Sequence, residues 1–248
     1  MKSSLFRSLW SLHLITPRGF IRLLRCFLHE GITMMAAVRF AARYHAHECA
    51  VVSDNQRIDY QDFYAFAKKL SYVLYHEYQL RSGQHVALFC RNHLVSALLL
   101  PALSRLGVNV KLLNTDLSNE QLLQLMSRPF ALFIYDKELL QVENIDITCP
   151  QVSCESLLET IKEQLLTDNV VLPYIKRGGN ISVMTGGSSG NYKEAARKTG
   201  IVQFLPPFFS LLRDLHIDSY QSVLIGLPFY HGFGLATLII SLVMGKKI

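Results

Sequence analysis

The stretch HVALFCRNHLVSALLLPALSRLGVNVKLL, residues 85–113, decides the fold. Residues 85–90 are an apolar run of strand length, 93–106 are apolar at helical length, Gly107 supplies a stop, and 108–113 form a second short apolar run. Strands joined by an intervening helix pair in parallel, with the helix as crossover. The pattern then repeats. Ser118 and Gln121 have the spacing of a capping box and open a helix to about residue 127, after which 131–135 read as another strand. Upstream, residues 81–84 are a turn. Asp59 caps a helix whose stripe of Phe63, Phe66, Ala67, Leu70, Val73 and Leu74 is core. Strands over 50–53 and 57–60 flank an Asp54-Asn55 turn, and 36–47 read as a helix.

Downstream, a polar helix is expected near 154–166. A second unit begins near Val170, with a strand over 181–184, a helix near 207–215, a strand over 223–227, a helix over 235–244 and the start of a further strand at 246–248. The fold class is therefore α/β, parallel sheets with crossover helices. The expected organisation is a basic amphipathic segment over 1–33, a first α/β subdomain over 34–169 and the start of a second over 170–248.

Of the 248 residues, half are hydrophobic and 18% charged, enough apolar surface for a buried core and too little charge for a disordered tail. The net charge of +6 is unevenly placed: residues 1–43 carry seven Lys and Arg against the single acid Glu30, and the rest carries eighteen charges of each sign. A neutral body argues against nucleic acid as a partner. The five cysteines, Cys26, Cys49, Cys90, Cys149 and Cys154, contain no C-x-x-C pair, and Cys149 and Cys154 have no His nearby. The spacing gives no metal site and points to reduced, partly buried thiols in the cytoplasm. The longest apolar runs, 94–103 and 235–244, are far short of the roughly 18–20 residues that cross a bilayer. Arg7 interrupts the first apolar stretch and no small-x-small cleavage site follows, which disfavours a signal peptide.

From Arg18 onward, Phe20, Leu23, Leu24, Phe27 and Leu28 share one helical stripe, with Arg18, Arg22 and Arg25 on another face. Two readings stand side by side. Residues 1–29 rest on a membrane surface, their arginines facing anionic headgroups, or the helix packs on the body with its basic face in water.

The stretch that carries chemistry is Thr185-Gly186-Gly187-Ser188-Ser189-Gly190-Asn191-Tyr192-Lys193. Glycines allow close backbone approach, hydroxyls and amide N–H groups donate to phosphate oxygens, and Lys193 adds positive charge. Neither the Walker A nor the G-x-G-x-x-G spacing is present. By composition alone, a flexible surface loop is an equal reading.

This stretch resembles the signature loop of the AMP-forming, adenylate-forming ligases, Thr-Ser-Gly-Thr-Thr-Gly-x-Pro-Lys-Gly. Thr185, Gly187, Ser188, Ser189, Gly190 and Lys193 match it, whereas Gly186, Tyr192 and Glu194 depart from it. Other motifs agree in order: Asp59-Tyr60-Gln61-Asp62-Phe63 at a helix entry, Gly83 to Asn92 around a strand, Leu106-Gly107 with Asn114, and Pro228-Phe229-Tyr230-His231-Gly232-Phe233-Gly234 for the family's Pro-x-x-His-x-x-Gly. The similarity runs from about residue 34 to the end and is nearest to acyl-CoA synthetases.

The resemblance implies the incomplete N-terminal large domain of such an enzyme. It implies ATP, Mg2+ and coenzyme A as cofactors and a carboxylic acid, a fatty acid above all, as substrate. ATP and the acid give an acyl-adenylate and pyrophosphate, and the thiol then displaces AMP. Thr185, Gly187, Ser188, Ser189, Gly190 and Lys193 would hold the ATP phosphates, and Phe229, His231 and Gly234 would border the acyl pocket. The family's adenine-, ribose- and hinge-bearing segments find no match here. That raises the expectation of a chain inactive alone, or of a second polypeptide that completes the site. Two alternatives remain. One is a membrane-associated, non-catalytic fragment or partner subunit, favoured by Glu194 beside Lys193. The other is an α/β-hydrolase, in which Gly186 to Gly190 form a G-x-S-x-G elbow with Ser188 as nucleophile, followed by Asp214 or Asp218 and His231. The other eight histidines read as core or turn residues.

Overall fold

The computed structural model describes residues 16–53, 56–140, 147–163, 172–183 and 219–248. In chain order the elements are α1 (Pro17–Glu30), α2 (Met34–Tyr44), β1 (Cys49–Ser53), β2 (Gln56–Asp59), α3 (Tyr60–His76), β3 (His85–Phe89), α4 (Leu94–Arg105), β4 (Asn109–Leu112), α5 (Asn119–Met126), β5 (Leu132–Tyr135), β6 (Gln151–Ser153), α6 (Cys154–Glu163), β7 (Ile181–Val183) and α7 (Gly232–Val243). The expected helix near 207–215 lies outside the described residues.

β6, β5, β3, β4 and β7 form, in that order, a five-stranded sheet in which every pairing is parallel. β1 and β2 make a separate antiparallel pair. Parallel sheets need cover on both faces, and β3 shows why its sequence is apolar throughout. Val86 and Leu88 point into the larger core, with Leu98, Leu99 and Leu103 of α4, Phe63, Leu70 and Leu74 of α3, and Leu157 and Ile161 of α6. The alternate residues Ala87 and Phe89 point the other way, into a second core with Phe133, Leu122, Leu125 and Met126. Each crossover helix thus buries one side of the strands it joins. The capping box expected at α5 is present, with Ser118 Oγ accepting from the Gln121 amide and Gln121 Oε1 from the Ser118 amide.

The structure revises three expectations near the C-terminal end. The strand at 181–183, expected to open a second unit, hydrogen-bonds to β4 and extends the first sheet, while Leu235, Leu238 and Leu242 of α7 enter the same core. No strand forms over 223–227; Ser222 makes a single bridge with Lys247. Residues 246–248, expected to start a strand, form none of their own; Ile248 instead lies beside β1, its amide donating to the Ala50 carbonyl at 2.8 Å and its carbonyl accepting from the Val52 amide at 2.7 Å. Ile248 thus supplies both of these bonds to β1.

α1 splits its apolar residues between two surroundings. Leu23 and Phe27 lie against Cys26, Ala36 and Phe40, whereas Phe20, Ile21, Leu24 and Leu28 are 48–65% exposed. The helix is held by a buried carboxylate. Glu30 accepts from Arg105 Nε at 2.8 Å, Arg39 Nη1 at 3.0 Å and the Tyr64 hydroxyl at 2.6 Å. Arg105 is itself buried and reaches the Pro173 carbonyl at 2.9 Å. Burial, with the Glu30 charge beside it, pushes the Tyr64 phenol well above its usual value. Removing one member leaves a buried guanidinium without its counter-charge, at a cost of about 3–5 kcal/mol. Glu30→Ala is therefore expected to lower the unfolding free energy by about that amount in a urea titration, and a loss below about 1 kcal/mol, the level of a surface pair, would contradict the arrangement.

Candidate functional site

In a parallel sheet, every loop that follows a strand emerges at the same edge. Ligands bind there, where successive crossovers diverge to opposite sides. Here the divergence lies between β3, whose crossover leads to β4, and β5 on its other flank. The residues that follow the strands fill this edge: Cys90 to His93 after β3, Leu113 to Thr115 after β4, Asp136 after β5 and Cys154 after β6.

Asn92 is the central clamp. Its Nδ2 donates to the Leu227 carbonyl at 2.8 Å and its Oδ1 accepts from the Phe229 amide at 2.9 Å. It thereby fixes the turn at 227–231 over the sheet, across 135 residues of chain. Thr115 adds a second tie, its hydroxyl donating to the Tyr230 hydroxyl at 3.3 Å. Phe229 and Tyr230 are buried among Leu88, Leu100, Leu112 and Leu113. His231 faces out, its ring tilted against Tyr230 with centroids 4.8 Å apart, and it precedes α7 without a side-chain capping bond.

Gly234 sits where α7 leans on this turn. A Cβ there would lie 2.4 Å from the Pro228 carbonyl oxygen and 2.6 Å from that of Leu227. α7 starts at Gly232, three residues before the sequence predicts. Of the sequence-assigned acyl-pocket residues, Phe229 and Gly234 are therefore fixed by packing, and His231 is presented to solvent. The assigned phosphate residues Thr185, Gly187, Ser188, Ser189, Gly190 and Lys193 lie outside the described residues, as do Asp214 and Asp218. β7 ends at Val183, parallel to β4, so the chain leaves the sheet towards those positions from this same edge.

A cleft of about 830 Å3 opens beside it, lined by residues that include Arg91, Asn92, His93, Asp136, Cys154 and Glu155. Asp136, 3% exposed, accepts from His93 Nε2 at 2.8 Å and from the Arg91 amide at 2.7 Å. Burial works to raise its pKa; the hydrogen bond and charge of His93 and the Arg91 amide outweigh it and hold the carboxyl below its usual range. His93 caps α4, its Nδ1 accepting from the Val95 and Ser96 amides at 3.2 and 3.4 Å. Burial disfavours a charged ring, while the Asp136 carboxylate favours it and would carry the pKa up to about 10. The Val95 and Ser96 amides, which bond to a lone pair at Nδ1, work against that charge.

The sequence offered a sign for Asn92 through its motif, but none for Asp136. It also read His93 as one more core histidine, since nothing local connects it to a partner 43 residues away.

The model of the family described as AMP-binding enzyme matches residues 38–248. The chain is 24% identical over 201 residues to the 2-succinylbenzoate–CoA ligase of Bacillus subtilis (strain 168), covering 80% of this chain and 40% of that protein. It thus spans well under half the length of that relative. Among solved structures, the O-succinylbenzoate coenzyme A synthetase of Bacillus subtilis in complex with AMP superposes with a TM-score of 0.71 at 20% identity, over 85% of this chain and 54% of that one. The same enzyme with ATP and magnesium gives 0.69 at 22% identity, over 85% and 55%. The inhibitor-bound N-terminal domain of FACL13 from Mycobacterium tuberculosis gives 0.70 at 19% identity, over 88% and 57%. At these identities the structures establish the shared fold.

The geometry yields a direct test. Gly234→Ala drives a methyl into the 227–228 backbone and is expected to cost about 1–3 kcal/mol. Asn92→Ala, which strands the Phe229 amide, is expected to cost about 1–3 kcal/mol and to speed amide exchange at Phe229. Unchanged exchange there in Asn92→Ala would show that the clamp does not hold the turn.

Proposed function

The chain belongs to the AMP-binding enzyme family, and on that premise we propose that it provides the phosphate-loop and acyl-pocket elements of a carboxylic acid–CoA ligase. In the proposed reaction a carboxylate oxygen attacks the α-phosphorus of ATP to give an acyl-adenylate and pyrophosphate, and the thiol of coenzyme A then displaces AMP. Because the chain spans 40% of the curated relative, the activity of that whole protein enters as part of this proposal, and so does any substrate. The relative is named for succinylbenzoate, an aromatic acid, so the acid here is a carboxylic acid of aryl or fatty type.

The observation that carries the reading is convergence at one sheet edge. The 227–231 turn is clamped there by Asn92 and Thr115, and β7 delivers the chain towards residues 185–193 from the same edge. The hydroxyls of Thr185, Ser188 and Ser189, the amides at Gly187 and Gly190, and the Lys193 ammonium would hold phosphate oxygens and neutralise their charge. Magnesium, when bound, would help neutralise the phosphate charge. Phe229 and Gly234 would set the wall of the acyl pocket, with His231 at its mouth. Family membership favours this use of Ser188 over a hydrolase nucleophile, which a lack of labelling by a fluorophosphonate would bear out.

Isothermal titration of the purified chain with ATP and Mg2+ tests the reading. Saturable binding is expected, weakened about 10- to 100-fold by Lys193→Ala, the loss of one charge-assisted contact. Absence of heat would favour the non-catalytic alternative.

The outward face of α1 supports a second, compatible reading. Phe20, Ile21, Leu24 and Leu28 form an exposed apolar stripe beside the exposed Arg18, Arg22 and Arg25, and Arg22 also lies over the Tyr44 ring at 4.8 Å. Such a face suits the interface of an anionic bilayer. Among the described residues no helix is long and apolar enough to cross a membrane. Co-sedimentation with vesicles containing phosphatidylserine is expected, weakening with salt and lost when Phe20, Leu24 and Leu28 are all replaced by Ser. Equal sedimentation of that variant would remove the reading.

A further inference from the structure

Three groups that the ligase reading leaves unused meet beneath the cleft. Cys90 follows β3, Asp136 follows β5 and Cys154 follows β6, so three adjacent parallel strands deliver two thiols and a carboxylate to one point. The two Sγ atoms are 3.3 Å apart, and the sulfurs and a carboxylate oxygen all lie within 4.8 Å of one another. We infer that Cys90, Asp136 and Cys154 form a binding site for a thiophilic divalent cation of the zinc class, with its fourth position open to the cleft.

Ligand chemistry selects the cation. Two soft sulfurs and one oxygen suit zinc or cobalt and are a poor cage for magnesium, which takes oxygen ligands in octahedral geometry. The site is thereby distinct from the metal that accompanies ATP, and the inference does not depend on the ligase reading. A tetrahedral ion with metal–sulfur bonds of about 2.3 Å sets its sulfurs roughly 3.8 Å apart. The pair at 3.3 Å needs only a small opening to accept it.

The surroundings are those of a supported ligand set. A metal-binding carboxylate works best when hydrogen bonds fix it. Asp136 is fixed twice, by His93 Nε2 and by the Arg91 amide, and His93 is itself locked by the Val95 and Ser96 amides. Asp136 and Cys154 line the cleft of about 830 Å3, which gives the ion an entry and its fourth position a water. A cysteine binds such an ion as its thiolate. Binding one M2+ therefore releases two protons, leaving two thiolates and one carboxylate on the ion. A disulfide between the same sulfurs would need an oxidant.

The test uses the whole chain, freed of metal and kept reduced by a phosphine, titrated with Co2+. A saturable thiolate-to-cobalt charge-transfer band with the strong visible absorption of a four-coordinate ion is expected, at one cobalt per chain, bleached by added Zn2+. Cys90→Ser and Cys154→Ser should each lose that spectrum. Asp136→Asn should bind about 10- to 100-fold more weakly, and Cys26→Ser and Cys149→Ser should match the parent. Because substitutions at a buried cluster can unfold the chain, a second measurement uses the unaltered protein. Zn2+ should shield Cys90 and Cys154, and no other cysteine, from maleimide, as mapped by mass spectrometry. Absence of a saturable cobalt–thiolate band, equal modification of Cys90 and Cys154 with and without Zn2+, or recovery of the pair only as a disulfide would each overturn the inference.

Discussion

The structure depends on one constraint: the central strand β3 is buried on both faces and paired in parallel on both sides. Parallel pairing forces each connection to cross the sheet, and two-sided burial demands helices above and below it. From this follow the apolar character of α4, the cores on the two faces of the sheet and the direction of the strands of the five-stranded sheet. It also follows that all chain leaving the strands does so at one edge. The candidate site is built there because the residues that follow β3, β4, β5 and β6 meet at that edge.

At that edge the joining is polar. Asn92 spends both ends of its amide on the 227–231 turn, and Thr115 meets Tyr230, so the turn is positioned by hydrogen bonds while Phe229 and Tyr230 supply the apolar seat. Asp136 plays the matching role on the other flank, tying the residues after β3 to those after β5. Towards the N-terminus, Glu30 does the same for α1, which explains how a helix with an outward apolar stripe stays fastened to the body. Asp136 and Glu30 are charged residues in buried places, where a missing partner costs more than the bond itself contributes, while Asn92 and Thr115 are half-buried.

Much of the architecture was legible because it rests on local signals. The strands of the main sheet up to β5, their crossover helices and the caps at Asp59 and Ser118 read from periodicity and side-chain chemistry within a few residues. What failed was non-local. The residues at 223–227 have strand-like side chains, but among the described residues their pairing stops at the bridge of Ser222 with Lys247, where the Val223 amide donates to the Lys247 carbonyl. β7 was seen as a strand, yet only β4's open edge decides that it completes the first sheet. The stripe on α1 was visible as a stripe, but helical spacing does not say which side meets α2.

For the site, the sequence by itself determined the family, through motifs whose order survives at low identity, and with it the positions to which phosphate and acyl contacts are assigned. Gly234 was assigned there to the acyl pocket, and Asn92 stood only as the last residue of the motif that begins at Gly83. Only the tertiary structure decided what each does: Asn92 holds a turn 135 residues away, and Gly234 touches backbone that a side chain would displace. The meeting of Cys90, Asp136 and Cys154 has no trace in spacing, because cysteines 64 residues apart become neighbours only when parallel strands return them to one edge. Side-chain type and periodicity are properties of the chain, whereas proximity belongs to the sheet order, and sheet order is settled by which buried faces and open edges can satisfy one another.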